Sequence, residues 1–364
     1  MKPTSRLVLS IPLFTLEALA GVFAISIVEL PPGDLLHFGR RQPSTVVVTV
    51  IDAAARYPLA NADVIDLATQ QHRFTDDHGQ ARLPWPSDGQ LRLRVREVGY
   101  QPLQRTLSQN AASEEAATFA LSKVAYVISS VEKTSHCVTT DDSASLALSV
   151  AVLEQLRQGA QKYDEFRRLY PFEMTFERRS AYVPENGKIS RISSNIETYK
   201  SEIPPREYRP GDIVRYLNGS FSVPILFLST LGDSVFWDHH CFIVRSVESL
   251  QDARVVRLEF SPSPDVTGPD WAGDAFIDSA TSILKRVDFR VVKPNPSYSL
   301  KRLEGYTTFS SPSPYIVVPD TTGASWWTRR NPDAKGNWPQ PDYVQMIYMQ
   351  EMKYRKAKPP KGDK

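Results

Sequence analysis

The sequence has little cysteine: two residues in 364, Cys137 and Cys241, too far apart to form a redox C-x-x-C pair. It has no excess of either charge. Forty-three Lys and Arg stand against 41 Asp and Glu, a formal charge of +2, so there is no basic footprint for nucleic acid. Glycine is scarcer than proline, 17 against 28, which favours short strands and stiff connections over a helical bundle. There is no G-x-S-x-G, no H-E-x-x-H and no H-x-x-E, so the usual serine-hydrolase and zinc-peptidase signatures are missing. S-x-x-K occurs at Ser130/Lys133 and Ser282/Lys285, a two-residue pattern at chance level in this composition. No cysteine lies near the N-terminus, which excludes a lipid-modified cysteine anchor there.

The remaining composition is that of a soluble globular protein, 41% hydrophobic and 23% charged. The length points to two domains behind a leader. Lys2 and Arg6 precede an apolar run from Leu7 to Val28, and Ala18 to Ala20 has the small-x-small form of a signal-peptidase site. Glu17 interrupts the run, whose full length would also span a bilayer, so residues 1–28 read as a signal peptide or an N-terminal anchor. Both place the protein in the exported compartment: periplasm, outer membrane or cell surface. A Pro/Gly-marked linker, 29–43, follows.

From Thr45 the texture is that of strands. "TVVVTVID" is β-branched, and Leu91, Leu93 and Val95 alternate with Arg92, Arg94 and Arg96, the period of a half-buried strand. Short strands separated by turn residues predict a small β-sandwich over 44–123. After residue 141 apolar residues recur at three- and four-residue steps, from Leu146 to Phe166. Asp142 or Ser143 is positioned as N-cap and Pro171 as stop, which predicts one helix of about six turns. A meander of strands follows, including "SVPILFLS" and "DSVFWDHHCFIVRSV", with a hairpin turn at Asp278–Ser282. The predicted fold is mainly β: a seven-stranded sandwich, then a helix-backed antiparallel curved sheet over 135–356, and a disordered basic tail at 357–364.

The first half resembles the carboxypeptidase regulatory-like domain, a prealbumin-type sandwich. The residues that carry the likeness are Pro58, Leu59, Ala62, Val64, Thr75, Asp76, Gly79, Leu83, Gly99 and Tyr100. Asn61 replaces a family glycine and tolerates the same left-handed backbone. The resemblance implies a non-catalytic module, with Gly79 and Gly99 at turns or close packing and Tyr100 capping the core. The second half resembles bacterial exported proteins that continue such a domain. Cys137, His240, Cys241, Phe242, Leu258, Phe260, Pro262, Gly273, Asp278, Thr281, Leu284, Arg286 and Phe289 match. Its last hairpin is similar to those of lipoprotein-carrier half-barrels, which implies a concave face able to hold an acyl chain.

Three constellations are candidates for function. His136, Cys137, His239, His240 and Cys241 offer zinc-ligand chemistry, but adjacent strand residues point to opposite faces. With two cysteines and an export signal, pairing of Cys137 with Cys241 as a disulfide fits better; free buried thiols are the alternative. Trp326, Trp327 and Trp338, with Arg329 and Arg330, read as a loop for stacking on sugars or seating at a membrane, or else as plugs at the open end of the sheet. Glu259, Asp274, Asp278 and Asp288 alternate with apolar residues, the pattern of a solvated sheet face. No metal, cofactor or catalytic residue is predicted. The expected role is a non-enzymatic binding or scaffolding protein of the bacterial envelope, for lipid, lipoprotein or glycan, with membrane association through residues 7–28. The alternatives are a hydrolase with an unrecognised site in the second domain, and an accessory component of an outer-membrane transport complex.

Overall fold

The computed structural model describes residues 45–110, 117–124, 143–217, 220–250, 253–294, 299–313 and 316–355. Residues 1–44, with the predicted leader and linker, and the tail from 356 lie outside this set, as do His136, Cys137 and the Ser130/Lys133 pair. Among the described residues no helix is long and apolar enough to cross a membrane.

Seven strands form the first half: β1 (Thr45–Asp52), β2 (Asp63–Asp66), β3 (Gln71–Phe74), β4 (Gln80–Pro84), β5 (Gln90–Arg96), β6 (Leu103–Ser108) and β7 (Thr118–Leu121). They make two sheets, ordered β4-β1-β7 and β3-β2-β5-β6. Val48, Val50, Val64, Leu91, Leu93, Val95, Phe119 and Leu121 fill the space between them, as the period-2 pattern requires. The turns follow the predicted backbone. Asn61 has φ +65° and Gly79 φ +68°, and a Cβ on Gly79 would lie 2.5 Å from the Val50 carbonyl oxygen. Tyr100 is buried in this core; its hydroxyl pairs with the Tyr57 hydroxyl at 2.8 Å and with Asp52 at 3.0 Å.

The second half opens with helix α1 (Ser143–Leu169) and continues with β8 (Phe172–Tyr182), β9 (Ser193–Lys200), β10 (Arg215–Leu217) and β11 (Ser220–Ser222). Two short helices, α2 (Leu228–Leu231) and α3 (Ser234–Asp238), lead into β12 (His240–Leu250), β13 (Ala253–Pro262), β14 (Asp270–Asp278) and β15 (Leu284–Val292). The chain ends with β16 (Arg302–Ser313), β17 (Ile316–Trp327) and β18 (Tyr343–Tyr354). Nine strands form one antiparallel sheet in the order β12-β13-β14-β15-β16-β17-β18-β8-β9. The sheet is open, and α1 touches strands as far apart as β12 and β17. One face therefore wraps the helix and the other faces outward.

Two predicted strands are corrected. "SVPILFLS" is a packed segment ending in α2, and "DSVFWDHHCF" begins as helix α3, with the strand starting only at His240. Asp233 caps α3, its carboxylate accepting the Val235 N–H at 2.7 Å. That local bond outweighs the strand preference of Val235, Phe236 and Trp237.

α1 is buried on two sides. Val152, Leu156 and Ala160 join the core beneath the large sheet, with Leu226, Leu231, Phe236, Trp271 and Phe289. A polar stripe, Gln155, Gln158 and Lys162, is buried too, because the sandwich covers it. Lys162 Nζ donates to both Glu97 oxygens at 2.9 Å. The Gln155 side-chain oxygen accepts the Gly99 N–H at 2.6 Å. Asp63 holds Arg96 at 2.8 Å and His72 at 2.9 Å, and both reach α1: Arg96 bonds Gln161, and His72 Nε2 lies 3.6 Å from Glu165. The outward face of β3-β2-β5 is thus an internal surface. Arg96 is buried, in contrast to the solvent position its alternation predicts.

Candidate functional site

The outward face of the large sheet carries a groove of about 500 Å³ over β14 to β18. Strand register places Glu259, Asp274, Asp288, Tyr306, Gly323 and Met346 in one transverse row on consecutive strands from β13 to β18. Neighbouring like charges in a sheet repel, and here an arginine answers each carboxylate. Arg245 Nε reaches Glu259 at 2.7 Å, and Arg257 grips Asp274 through Nε at 2.9 Å and a terminal nitrogen at 3.1 Å. Arg286 Nε reaches Asp288 at 2.5 Å, and one row over Arg302 Nε meets Glu304 at 2.9 Å. The Arg245 guanidinium and its hydrogen bond hold Glu259 below the usual carboxylate range, against the effect of partial burial.

The floor is backbone. Gly273, Gly305 and Gly323 line the groove, and a Cβ on Gly305 would fall 2.1 Å from the Gly323 carbonyl oxygen. Phe289 stands opposite Gly273 on one side and Gly305 on the other, its ring 5.0 Å from Trp271 in an edge contact beneath the sheet. Tyr306 lies over Gly323, whose Cβ would meet the ring at 2.8 Å. The Arg286 guanidinium sits 4.5 Å above the centre of the Tyr306 ring. The sequence marked Asp274 and Asp288 as solvated strand carboxylates. It had no way to mark the groove itself, which is assembled from five strands.

The histidines separate. His239 caps α3 and is half-buried, whereas the His240 side chain is fully buried. Its Nδ1 faces the Phe236 carbonyl at 3.0 Å and its Nε2 the Trp271 carbonyl at 2.9 Å, with Asp270 at 3.7 Å. Burial pulls its pKa below the ordinary histidine range, and Asp270 and the two carbonyls oppose that pull. Asp270 also accepts the Tyr208 hydroxyl at 2.6 Å and the N–H groups of Gly211 and Trp271 at 2.9 and 2.7 Å. The arrangement is enclosed, its Tyr208 hydroxyl committed to Asp270, and it fastens α3 and the 208–211 loop to β14. Among the described residues no three His, Cys, Asp or Glu side chains converge as metal ligands. Cys241 is half-buried on β12, and its predicted partner Cys137 lies outside the described residues.

The three tryptophans do not form an exposed platform. Trp326 and Trp327 belong to β17 rather than a loop, and Trp327 is 5% exposed, its indole N–H donated to the Pro339 carbonyl at 2.8 Å. Trp338 meets it edge-on at 5.9 Å, and Arg302 packs over both rings. Arg329 is exposed and stacks on Tyr182 at 4.7 Å. Within "SVPILFLS", where the apolar residues would line a concave acyl-holding face, Leu226 and Leu228 are buried core, and Ile225 and Phe227 are half-buried beside a cavity of only about 40 Å³.

Comparison with known proteins does not supply a family. No family model matches the chain, and no curated protein matches it. Several solved structures are similar to it. One is a DUF1329 family protein from Desulfovibrio piger, 10% identical, covering 56% of this chain and 93% of that one at a TM-score of 0.31. Another is a domain named for outer membrane lipoprotein sorting, from Vibrio parahaemolyticus, 12% identical, covering 56% of this chain and 95% of that one at 0.29. At these values the likeness assigns neither family nor activity.

Proposed function

We propose that this chain is a non-enzymatic binding protein of the bacterial envelope, and that its working surface is the groove on the open face of the large sheet. The ligand class we favour is an extended glycan. The observation that carries this reading is the groove's construction: a bare glycine floor between walls of paired charges. No histidine or cysteine lines it, and each lining carboxylate is held by an arginine, which suits fixed hydrogen bonding more than proton transfer. Sugar hydroxyls match the carboxylates and guanidinium groups, and Tyr306 and Met346 offer apolar surface to sugar C–H faces. The sandwich, read as a carboxypeptidase regulatory-like domain, then serves as a scaffold fixed to α1.

A lipid reading has less support from the geometry. The apolar interior beneath α1 is filled by side chains, and the cavities at its margins are about 40 and 50 Å³, far below the several hundred Å³ a ligand pocket of drug size needs. An acyl chain would have to displace α2 from the core.

The test is a calorimetric titration of the full chain with a neutral hexasaccharide and, separately, with fatty-acyl vesicles. Saturable sugar binding that disappears in Ser325→Trp, which fills the groove from β17, supports the reading. Sugar binding that survives Ser325→Trp, or binding of acyl chains alone, overturns it.

A further inference from the structure

On the open face, from β12 to β16, four arginines are matched to four carboxylates: Arg245 with Glu259, Arg257 with Asp274, Arg286 with Asp288 and Arg302 with Glu304. A fifth arginine, Arg290 on β15, forms no ion pair among the described residues. It lines the groove and is exposed. Its neighbours in register are Ala272 on β14 and Glu304 on β16, and Glu304 is already occupied by Arg302. Its field reaches Glu259 and helps to hold that carboxylate ionised, but Glu259 is bonded to Arg245. Among the described residues the groove therefore has one exposed guanidinium that none of the lining carboxylates holds.

We propose that the groove selects acidic polysaccharide, with Arg290 receiving a carboxylate of the chain. This rests on the glycan reading and narrows it. A guanidinium presents parallel donors that match a carboxylate in two hydrogen bonds. The lining carboxylates Asp274, Asp288 and Glu304 argue against a dianion such as a phosphate ester, which would meet their repulsion where a single carboxylate charge meets less. The uncharged floor lets the rest of the polymer pass without a second cationic contact. Because Arg290 is exposed, its selectivity is modest and screened by salt.

The experiment compares a galacturonate hexamer with the neutral galactose hexamer made by reducing its carboxyl groups. The full chain is titrated with each at about 20 mM and again at 0.5 M salt. The acidic hexamer is expected to bind about 5- to 10-fold more tightly at low salt. Arg290→Gln brings the affinity for the acidic hexamer down to that for the neutral one, and high salt removes the preference in the native chain. Equal binding of the two hexamers, a preference that persists in Arg290→Gln, or tighter competition by inorganic phosphate than by galacturonic acid overturns this proposal and leaves the glycan reading standing. If neither hexamer binds, the glycan reading itself falls and takes this one with it.

Discussion

Gln155, at the middle of α1, reads the backbone of Gly99 in the sandwich: its oxygen accepts the Gly99 N–H at 2.6 Å, and its Nε2 reaches the Tyr100 carbonyl at 3.5 Å. The turn can come this close because Gly99 adopts φ +90° and a Cβ there would already be 3.1 Å from the Thr281 carbonyl oxygen. Gln155→Ala leaves the Gly99 N–H buried without a partner, a loss of about 1–3 kcal/mol. Calorimetry should show a lower melting temperature. If the sandwich and α1 unfold as one unit in the native chain, the same substitution should split the transition in two.

Lys162 and Glu97 form the second fastening, both largely withdrawn from water. Removing one partner strands the other charge, so Lys162→Met alone should destabilise by about 3–5 kcal/mol. Pairing it with Glu97→Leu should recover most of that loss, because an apolar pair carries no desolvation penalty at the junction. A double-mutant cycle by denaturant unfolding measures the difference. A double variant as unstable as Lys162→Met would mean that the pair contributes packing rather than charge compensation.

Features that depend on neighbours in the chain were legible in the sequence. Leu91, Leu93 and Val95 announce their burial by alternation, Asn61 its left-handed turn, and Asp278–Ser282 the hairpin, where Ser282 has φ +58°. What could not be read depends on partners far along the chain. Arg96 is chemically a solvent residue until α1, whose Gln161 lies 65 residues further along the chain, packs against it. The polar stripe on α1 reads as a wet face until the sandwich covers it. Gly273, Gly305 and Gly323 are unremarkable singly and become a floor only when strand register aligns them. "SVFWD" has strand composition, and only the cap on Asp233 turns it into a helix.

Asp342 closes the loop between β17 and β18. Its Oδ2 accepts the N–H groups of Thr328 and Arg329 at 2.8 Å each and that of Arg330 at 3.3 Å. Burial opposes the charge, but the N–H groups of Arg329, Thr328 and Arg330 and the Arg330 guanidinium prevail, and the carboxyl is held below the usual aspartate range. A depressed value in the fold means that the stabilisation is present above the unfolded pKa, about 3.9, and is lost as pH falls through the folded value. Tryptophan fluorescence should therefore shift in acid as the Trp327–Trp338 contact loosens. In Asp342→Ala the same shift should be present at neutral pH, and the acid step should be gone. An acid step that persists in Asp342→Ala would assign the titration to another group.

Cys241 lies on β12, the edge of the large sheet, three residues from Val244, whose N–H is donated to Ser149 of α1 at 3.3 Å. Cys137 precedes the start of α1 by six residues. At roughly 3.3 Å per extended residue this stretch can reach on the order of 20 Å. We therefore propose that the two cysteines pair. The bond would close a loop of about 100 residues, worth up to about 4–5 kcal/mol in the chain-entropy account. Protein recovered from an oxidising compartment should yield a Cys137–Cys241 cross-linked peptide by mass spectrometry, and reductant should lower its melting temperature. Cys241→Ser should melt at that reduced temperature with or without reductant. Two alkylatable thiols in the oxidised protein, or a melting temperature indifferent to reductant, would remove the staple from the description.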